Sequence, residues 1–200
     1  QASLVVDPVP LNNIGSFAGI IGRDAAVNSG LGSKFTLTTS KIGYYTLKVT
    51  TGGTTKSLVG YMLATKPQIS VPIGKGVVAF TLDETSNLIT SPVGSVAVHG
   101  WRSTWNTLLK PANSRMGYYS VGIQLANIAD QGVVNIPQGS GYATFSVASS
   151  GSFTLAGKTA DNQTITSGGF MGPSGEMVIH TSLYGYRGSI TGSMVLSEAP

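Results

Sequence analysis

The sequence contains no cysteine, carries few charges and has no long apolar run, and each shortage narrows what the chain can be. Without cysteine there is no disulfide, no thiolate metal site and no thiol nucleophile. Asp, Glu, Lys and Arg together make up 10% of the 200 residues, against about a quarter in ordinary soluble domains. The polar surface must therefore come from Ser, Thr, Asn and Gln. No stretch approaches the roughly 20 apolar residues of a membrane-spanning helix, so no transmembrane segment is expected. A net charge of only +4, with large apolar residues recurring throughout, excludes the disordered class. The basic residues form no nucleic-acid footprint either. Lys34, Lys41, Lys48, Lys56, Lys66 and Lys75 stand singly, as do Arg23, Arg102, Arg115 and Arg187. Lysines spaced this way guard strand edges against unwanted pairing, and no nucleic-acid partner is expected.

What the chain does have is alternation of period two. "KFTLTTS" (34–40), "YTLKVTT" (45–51), "VVAFTLD" (77–83), "YATFSVA" (142–148) and "SITGSMVL" (189–196) each place apolar side chains on one face and hydroxyl or charged ones on the other. Between them lie clusters of Gly, Asn, Asp and Ser of the kind that form turns. Helical signal is confined to "STWNTLLK" (103–110) before Pro111 and a short turn in "ANIAD" (126–130), with "RDAAVNSGLG" (23–32) expected as a structured loop. The fold class predicted is all-β and antiparallel.

Aligned against itself, the chain repeats. Gly43-Tyr44-Tyr45-Thr46-Leu47 answers Gly151-Ser152-Phe153-Thr154-Leu155, and Gly60-Tyr61-Met62 answers Gly169-Phe170-Met171. Upstream, "IGSFAGI" (14–20) answers "MGYYSVG" (116–122); downstream, "GKGVVAFTL" (74–82) answers "YRGSITGSM" (186–194). Order is kept as well as composition, which predicts two similar β units, small barrels or sandwiches, arising by internal duplication. The expected divisions are an extended N-terminal arm over 1–12, a first unit over 13–83, a linker hairpin with a Trp-rich segment over 84–114, and a second unit over 115–200.

The stretches "GSFAGIIGRDAAVNSGLGSKFTLTTSKIGYYTLKV", "GWRSTWN" and "PQGSGYATFSVASSGSFTLAGKTADNQTITSGGFMGPSGEMVIHTSLYGYRGSITGSMVL" resemble a β-rich module of large secreted or surface proteins from Verrucomicrobia and related bacteria. The markers are a Gly-aromatic-x-Gly opening, an Arg-Asp-x-x-x-Asn loop, a Gly-Trp-Arg linker and a late Leu-Tyr followed by Gly-Ser. The resemblance covers most of the chain after about Asn13. It implies an extracellular structural or adhesive role and brings no catalytic residue with it. The start at Gln1, without Met, agrees with a secreted, cell-surface-associated protein that has lost a signal peptide.

Chemistry is sparse. A hydrolase needs a nucleophile, a base and an orienting acid, and the only histidines are His99 and His180, both in strand-like alternation. Asp24 and Asn28 offer two oxygen ligands, fewer than a calcium loop presents, and are expected to cap and turn their loop. No catalytic residue, metal site or cofactor is assigned, and the protein is not expected to be an enzyme. Trp101, Arg102 and Trp105, with Tyr184 and Tyr186, are candidates for stacking on a surface glycan. The other reading has both indoles filling the joint between the units, with Arg102 over a ring. The segment outside the repeat, "SLVVD" (3–7) followed by the stiff "PVP" (8–10), reads as an arm. Ser3, Leu4, Val5, Val6, Asp7 and Val9 are the candidate assembly residues, adding a strand to a neighbouring copy. A structural subunit that polymerises with itself is the expected function, with a carbohydrate-binding adhesion module as alternative and a hydrolase as a third.

Overall fold

A computed structural model describes residues 8–125, 127–134 and 138–198. The architecture is all-β. The first unit comprises β1 (Gly15–Ile21), β2 (Ser33–Thr39), β3 (Tyr44–Thr51), β4 (Thr54–Tyr61), β5 (Gln68–Ile73), β6 (Gly76–Leu82), β7 (Leu88–Thr90) and β8 (Val98–Arg102). They form one antiparallel sheet in the order β4-β3-β2-β1-β8-β7-β6-β5. The sheet curls into a near-closed barrel. Phe35 on β2 and Phe80 on β6, far apart in that order, meet edge to face with ring centroids 5.0 Å apart. Around them the inward residues Phe17, Ile21, Leu37, Leu47, Val78 and Ile89 are buried, as their alternation requires.

One close approach makes that curl possible. Gly19 on β1 lies directly opposite Gly100 on β8. A Cβ on Gly19 would come 2.6 Å from the Gly100 Cα and 2.6 Å from the Phe35 ring, and would also strike the His99 carbonyl; one on Gly100 would come 2.8 Å from the same ring. The two bare backbones form the floor on which Phe35 lies. Gly here serves close packing of a ring on a sheet, not a special backbone angle.

The second unit comprises β9 (Gly117–Ile123), β10 (Gly141–Val147), β11 (Ser152–Lys158), β12 (Thr164–Phe170), β13 (Glu176–Leu183) and β14 (Gly188–Val195). The first four make a sheet in the order β12-β11-β10-β9, and β13 pairs with β14 as a hairpin. Side chains stitch β12 to β13: the Ser167 hydroxyl donates to Val178 O (3.2 Å) and accepts from His180 N (3.4 Å), and the Thr181 hydroxyl donates to Thr166 O. A second core, with Phe145, Phe153, Leu155, Ile165, Met171 and Met177 among its members, fills this unit.

One corner recurs in both units. Gly43 and Gly151 each have φ of 77°, where a side chain would be strained. The Gly43 N–H donates to Ser40 O (3.0 Å) and its carbonyl accepts from Met62 N (2.9 Å); the Gly151 N–H donates to Ala148 O (2.9 Å) and its carbonyl accepts from Met171 N (2.8 Å). The two stretches that match in sequence thus fold alike.

Several expectations are corrected. Residues 84–114 are not simply a linker, because β7 and β8 lie inside the first sheet, held by burial of Ile89 and Val98 and by the β1–β8 ladder. Ser103–Lys110 is not helical: the Asn106 side chain accepts from Leu108 N (3.0 Å) and Leu109 N (2.6 Å), closing a tight turn instead. In 23–32 a four-residue helix, α1 (Ala25–Asn28), forms because Asp24 caps it, accepting from Ala26 N and Val27 N at 2.8 Å each. A short 3-10 turn spans Ile128–Asp130, with Asn127 as its cap; Ala126 lies outside the described residues. Of the arm, Ser3, Leu4, Val5, Val6 and Asp7 lie outside the described residues, whereas Val9 is buried in the first core. Val9 is therefore part of the barrel and not free to pair with a neighbour.

Replacing Gly19 with Val should cost at least about 3 kcal/mol, the scale of severe overpacking, because strand backbone cannot retreat from the new methyls. Urea unfolding followed by tryptophan fluorescence will show it as a loss of midpoint or of folded protein.

Candidate assembly surface

The two units differ most where β1 and β6 correspond to β9 and β14. In the first unit β8 and β7 bridge β1 to β6. In the second, among the described residues, β9 pairs only with β10 and β14 only with β13, so each has an unpaired edge there. A groove lies between them. Two adjoining hollows of about 350 and about 650 Å³ share Ile123, Gln124 and Ile190. The smaller reaches the second core at Ala143, Leu155 and Ile165.

Burial follows from the open edge. Tyr119, Val121 and Ile123 on β9 and Ile190 and Met194 on β14 pack against the core yet are only half-buried, whereas Phe17, Ile21, Val78, Phe80 and Leu82 at the corresponding places in the first unit are fully buried. At Gly192, which stands where the sequence repeat has Phe80, an added Cβ would meet no atom within 4 Å. A hole therefore sits under β14 where the first core holds a phenyl ring.

Edge strands normally carry Lys, Pro or a cover to block pairing. The first unit obeys: β4 carries Lys56 and β5 carries Pro72. β9, "GYYSVGI", and β14, "GSITGSMV", contain neither charge nor proline. These two edges offer backbone donors and acceptors beside an apolar slot, the chemistry of strand addition.

The glycan candidates do not form one platform. Trp101 is fully buried under Gly172, where a Cβ would come 2.5 Å from the indole. The Trp105 indole N–H donates to Gly172 O (2.8 Å), and its ring lies 4.8 Å from Lys110 Nζ and 5.4 Å from the Arg115 guanidinium. Both indoles thus pack at the joint between the units. Arg102 lies over no ring; it donates from Nε to Ile14 O (2.8 Å) and from Nη1 to Asn87 Oδ1 (3.4 Å), while Arg115 and Lys110 take the cation's place. Tyr184 and Tyr186, both exposed, flank the β13–β14 turn with φ of 52° and 70°. Each is an anchor: the Tyr184 hydroxyl donates to Asp161 Oδ2 (2.6 Å), and the Tyr186 ring covers Gly53 in the β3–β4 turn of the first unit. Asp161 is held below the usual carboxylate range by the hydroxyls of Thr159 and Tyr184, and the Tyr184 phenol is raised by the same carboxylate.

His99 is exposed and meets Trp101 edge to face at 5.6 Å. His180 is buried between the units; its Nδ1 shares a 2.5 Å hydrogen bond with the Thr191 hydroxyl, and its Nε2 has no partner. Among the described residues no carboxylate bonds either imidazole. Among the described residues no three His, Asp or Glu side chains converge to hold a metal, and no helix is long and apolar enough to cross a membrane. No protein-family model, curated protein sequence or solved structure matches the chain.

The groove residues Val121, Ile190 and Gly192 are absent from the candidates drawn from sequence. Their signal was nonetheless there: the alignment of "GVVAFTL" with "GSITGSM" sets a glycine against a core phenylalanine, in a strand without charge or proline.

Burial, with Lys34 and Arg23 nearby, lowers His180 from 6.5 to about 4. The unfolded chain therefore takes up this proton first, and stability present above pH 6.5 is lost as pH falls toward 4, by on the order of 2–3 kcal/mol. Urea midpoints across that window should drop for the wild type and stay flatter for His180→Leu; equal slopes in both would contradict the assignment.

Proposed function

We propose that the protein is an extracellular, cell-surface structural subunit that builds a fibre or layer from copies of itself by β-strand addition. The observation that carries this reading is the pair of unguarded edges, β9 and β14, facing each other across an apolar slot. A slot of this kind exposes core residues unless a further strand covers them, and the first unit illustrates the cover: its own β7–β8 hairpin. The second unit is read as a duplicate of the first; the shared strand order and the matching Gly43 and Gly151 corners support that history. The few charges, the hydroxyl-rich faces and the resemblance to secreted bacterial modules support an extracellular building role without catalysis. Burial of Trp101 and the separate anchoring of Tyr184 and Tyr186 weigh against a flat sugar platform.

Negative-stain microscopy and light scattering on the full chain should show filaments, rings or oligomers. Deleting residues 1–7, which leaves Val9 in its core, should abolish them at unchanged circular dichroism. Monodisperse monomers from both proteins would reject self-assembly.

A further inference from the structure

The joint between the two units holds a hollow of about 160 Å³ that shares no residue with the β9–β14 groove. Its size is close to the roughly 150 Å³ of an engineered apolar cavity that takes up benzene. The hollow forms because β13, which carries Val178, packs on β1 and β2 of the first unit, while β12 runs past as Gly168-Gly169 with no side chain to fill the space. Its lining changes character with depth. Ala18, Phe153 and Val178 are buried and make an apolar floor; Lys34 is half-buried; Thr36 and Lys48 are exposed at the rim.

The charge in this hollow has one sign. Lys34 lies opposite Thr50 and Thr36 opposite Lys48, so the two lysines are diagonal neighbours on the outer face of β2 and β3, about 7–8 Å apart at the backbone, a span their long side chains close around one anion. No Asp or Glu lines the hollow, and among the described residues neither ammonium has an ion-pair or hydrogen-bond partner. Lys34 and Arg23 also disfavour a proton on the nearby His180, so the local field is positive.

We infer that the joint is a binding site for a small aromatic carboxylate, its ring beside Phe153 and Val178 and its carboxylate between Lys34 and Lys48. An inorganic anion would leave the apolar floor unused, and a neutral ring would leave both ammoniums without a counter-charge. A sugar acid would turn hydroxyls toward Phe153 and Val178, where they lose water and gain no acceptor. Only a ligand apolar at one end and anionic at the other satisfies floor and rim together. Seated there it touches both units, so occupancy stabilises their joint. The site stands whether or not copies of the chain assemble.

Benzoate is the probe. Titrated into the 15N-labelled full chain, it should shift the Thr36, Gly168 and Gly169 amides saturably, with a Kd of about 1 mM or tighter. Acetate, benzyl alcohol and galacturonate should each bind at least about tenfold more weakly. Lys34→Met combined with Lys48→Met keeps the stems and removes the charges; it should weaken benzoate at least about tenfold at unchanged circular dichroism. Gly169→Leu, whose Cβ meets only Phe153 Cε1 at 3.6 Å, should fill the hollow and abolish the shifts; if it does not fold, the lysine pair decides alone. No saturable shift at these amides would overturn the site. Equal affinity for acetate or galacturonate would overturn the aromatic body, and equal affinity for benzyl alcohol, or indifference to the lysine pair, would overturn the carboxylate contact. Shifts that survive in a folded Gly169→Leu would place the ligand outside the hollow.

Discussion

The contact on which the rest depends is the backbone-to-backbone approach of β1 and β8 at Gly19 and Gly100, with Phe35 laid across it. It brings the β7–β8 hairpin against β1, and so decides that the first eight strands form one curled sheet. Everything the first core gains by enclosing Phe80 and Ile89 follows from that closure. Aligned with the first unit, the second sets Val121 against Gly19, and among the described residues no strand pairs on that side of β9. A valine there projects into the slot where a glycine would have admitted a flat aromatic ring. The first sheet is thus sealed from within, while a seam lies between β9 and β14 among the described residues.

Hydrogen-bond economy explains why this difference matters. A strand edge beside solvent loses little, since water satisfies its backbone groups; an edge beside a half-covered core leaves apolar area exposed as well. β4 and β5 present the first situation, with Lys56 and Pro72 discouraging a partner. β9 and β14 present the second, and their Gly, Ser, Thr and apolar residues do nothing to repel one.

The fold class and most of the strands were legible because alternation and turn residues report directly on half-buried antiparallel sheets. The repeated corner was legible because a glycine at positive φ and a buried methionine leave a sequence signature. What escaped was long-range pairing. "SNLITSPVGSVAVHG" reads as a hairpin, but nothing in its period says that it will dock on β1 residues some 80 positions earlier; only the Gly19–Gly100 register does. The helix expected at Ser103–Lys110 failed because Asn106 offers its side chain to the backbone of Leu108 and Leu109, a local competitor that helical composition does not reveal. The candidate surface was half legible: the paired alignment exposed Gly192 against Phe80, while Trp101 and Trp105 drew attention as aromatics and turned out to be joint-fillers.

The turn Tyr184-Gly185-Tyr186 has three successive residues in the left-handed region, and for the two tyrosines that conformation is a standing cost. It is offset by anchors on different bodies, Asp161 in the second unit and Gly53 in the first. Neither unit can let go of its tyrosine without releasing strain that the other was helping to hold. The two halves, though built on separate cores, are in this way coupled, and heat should melt them in one cooperative transition instead of one half at a time.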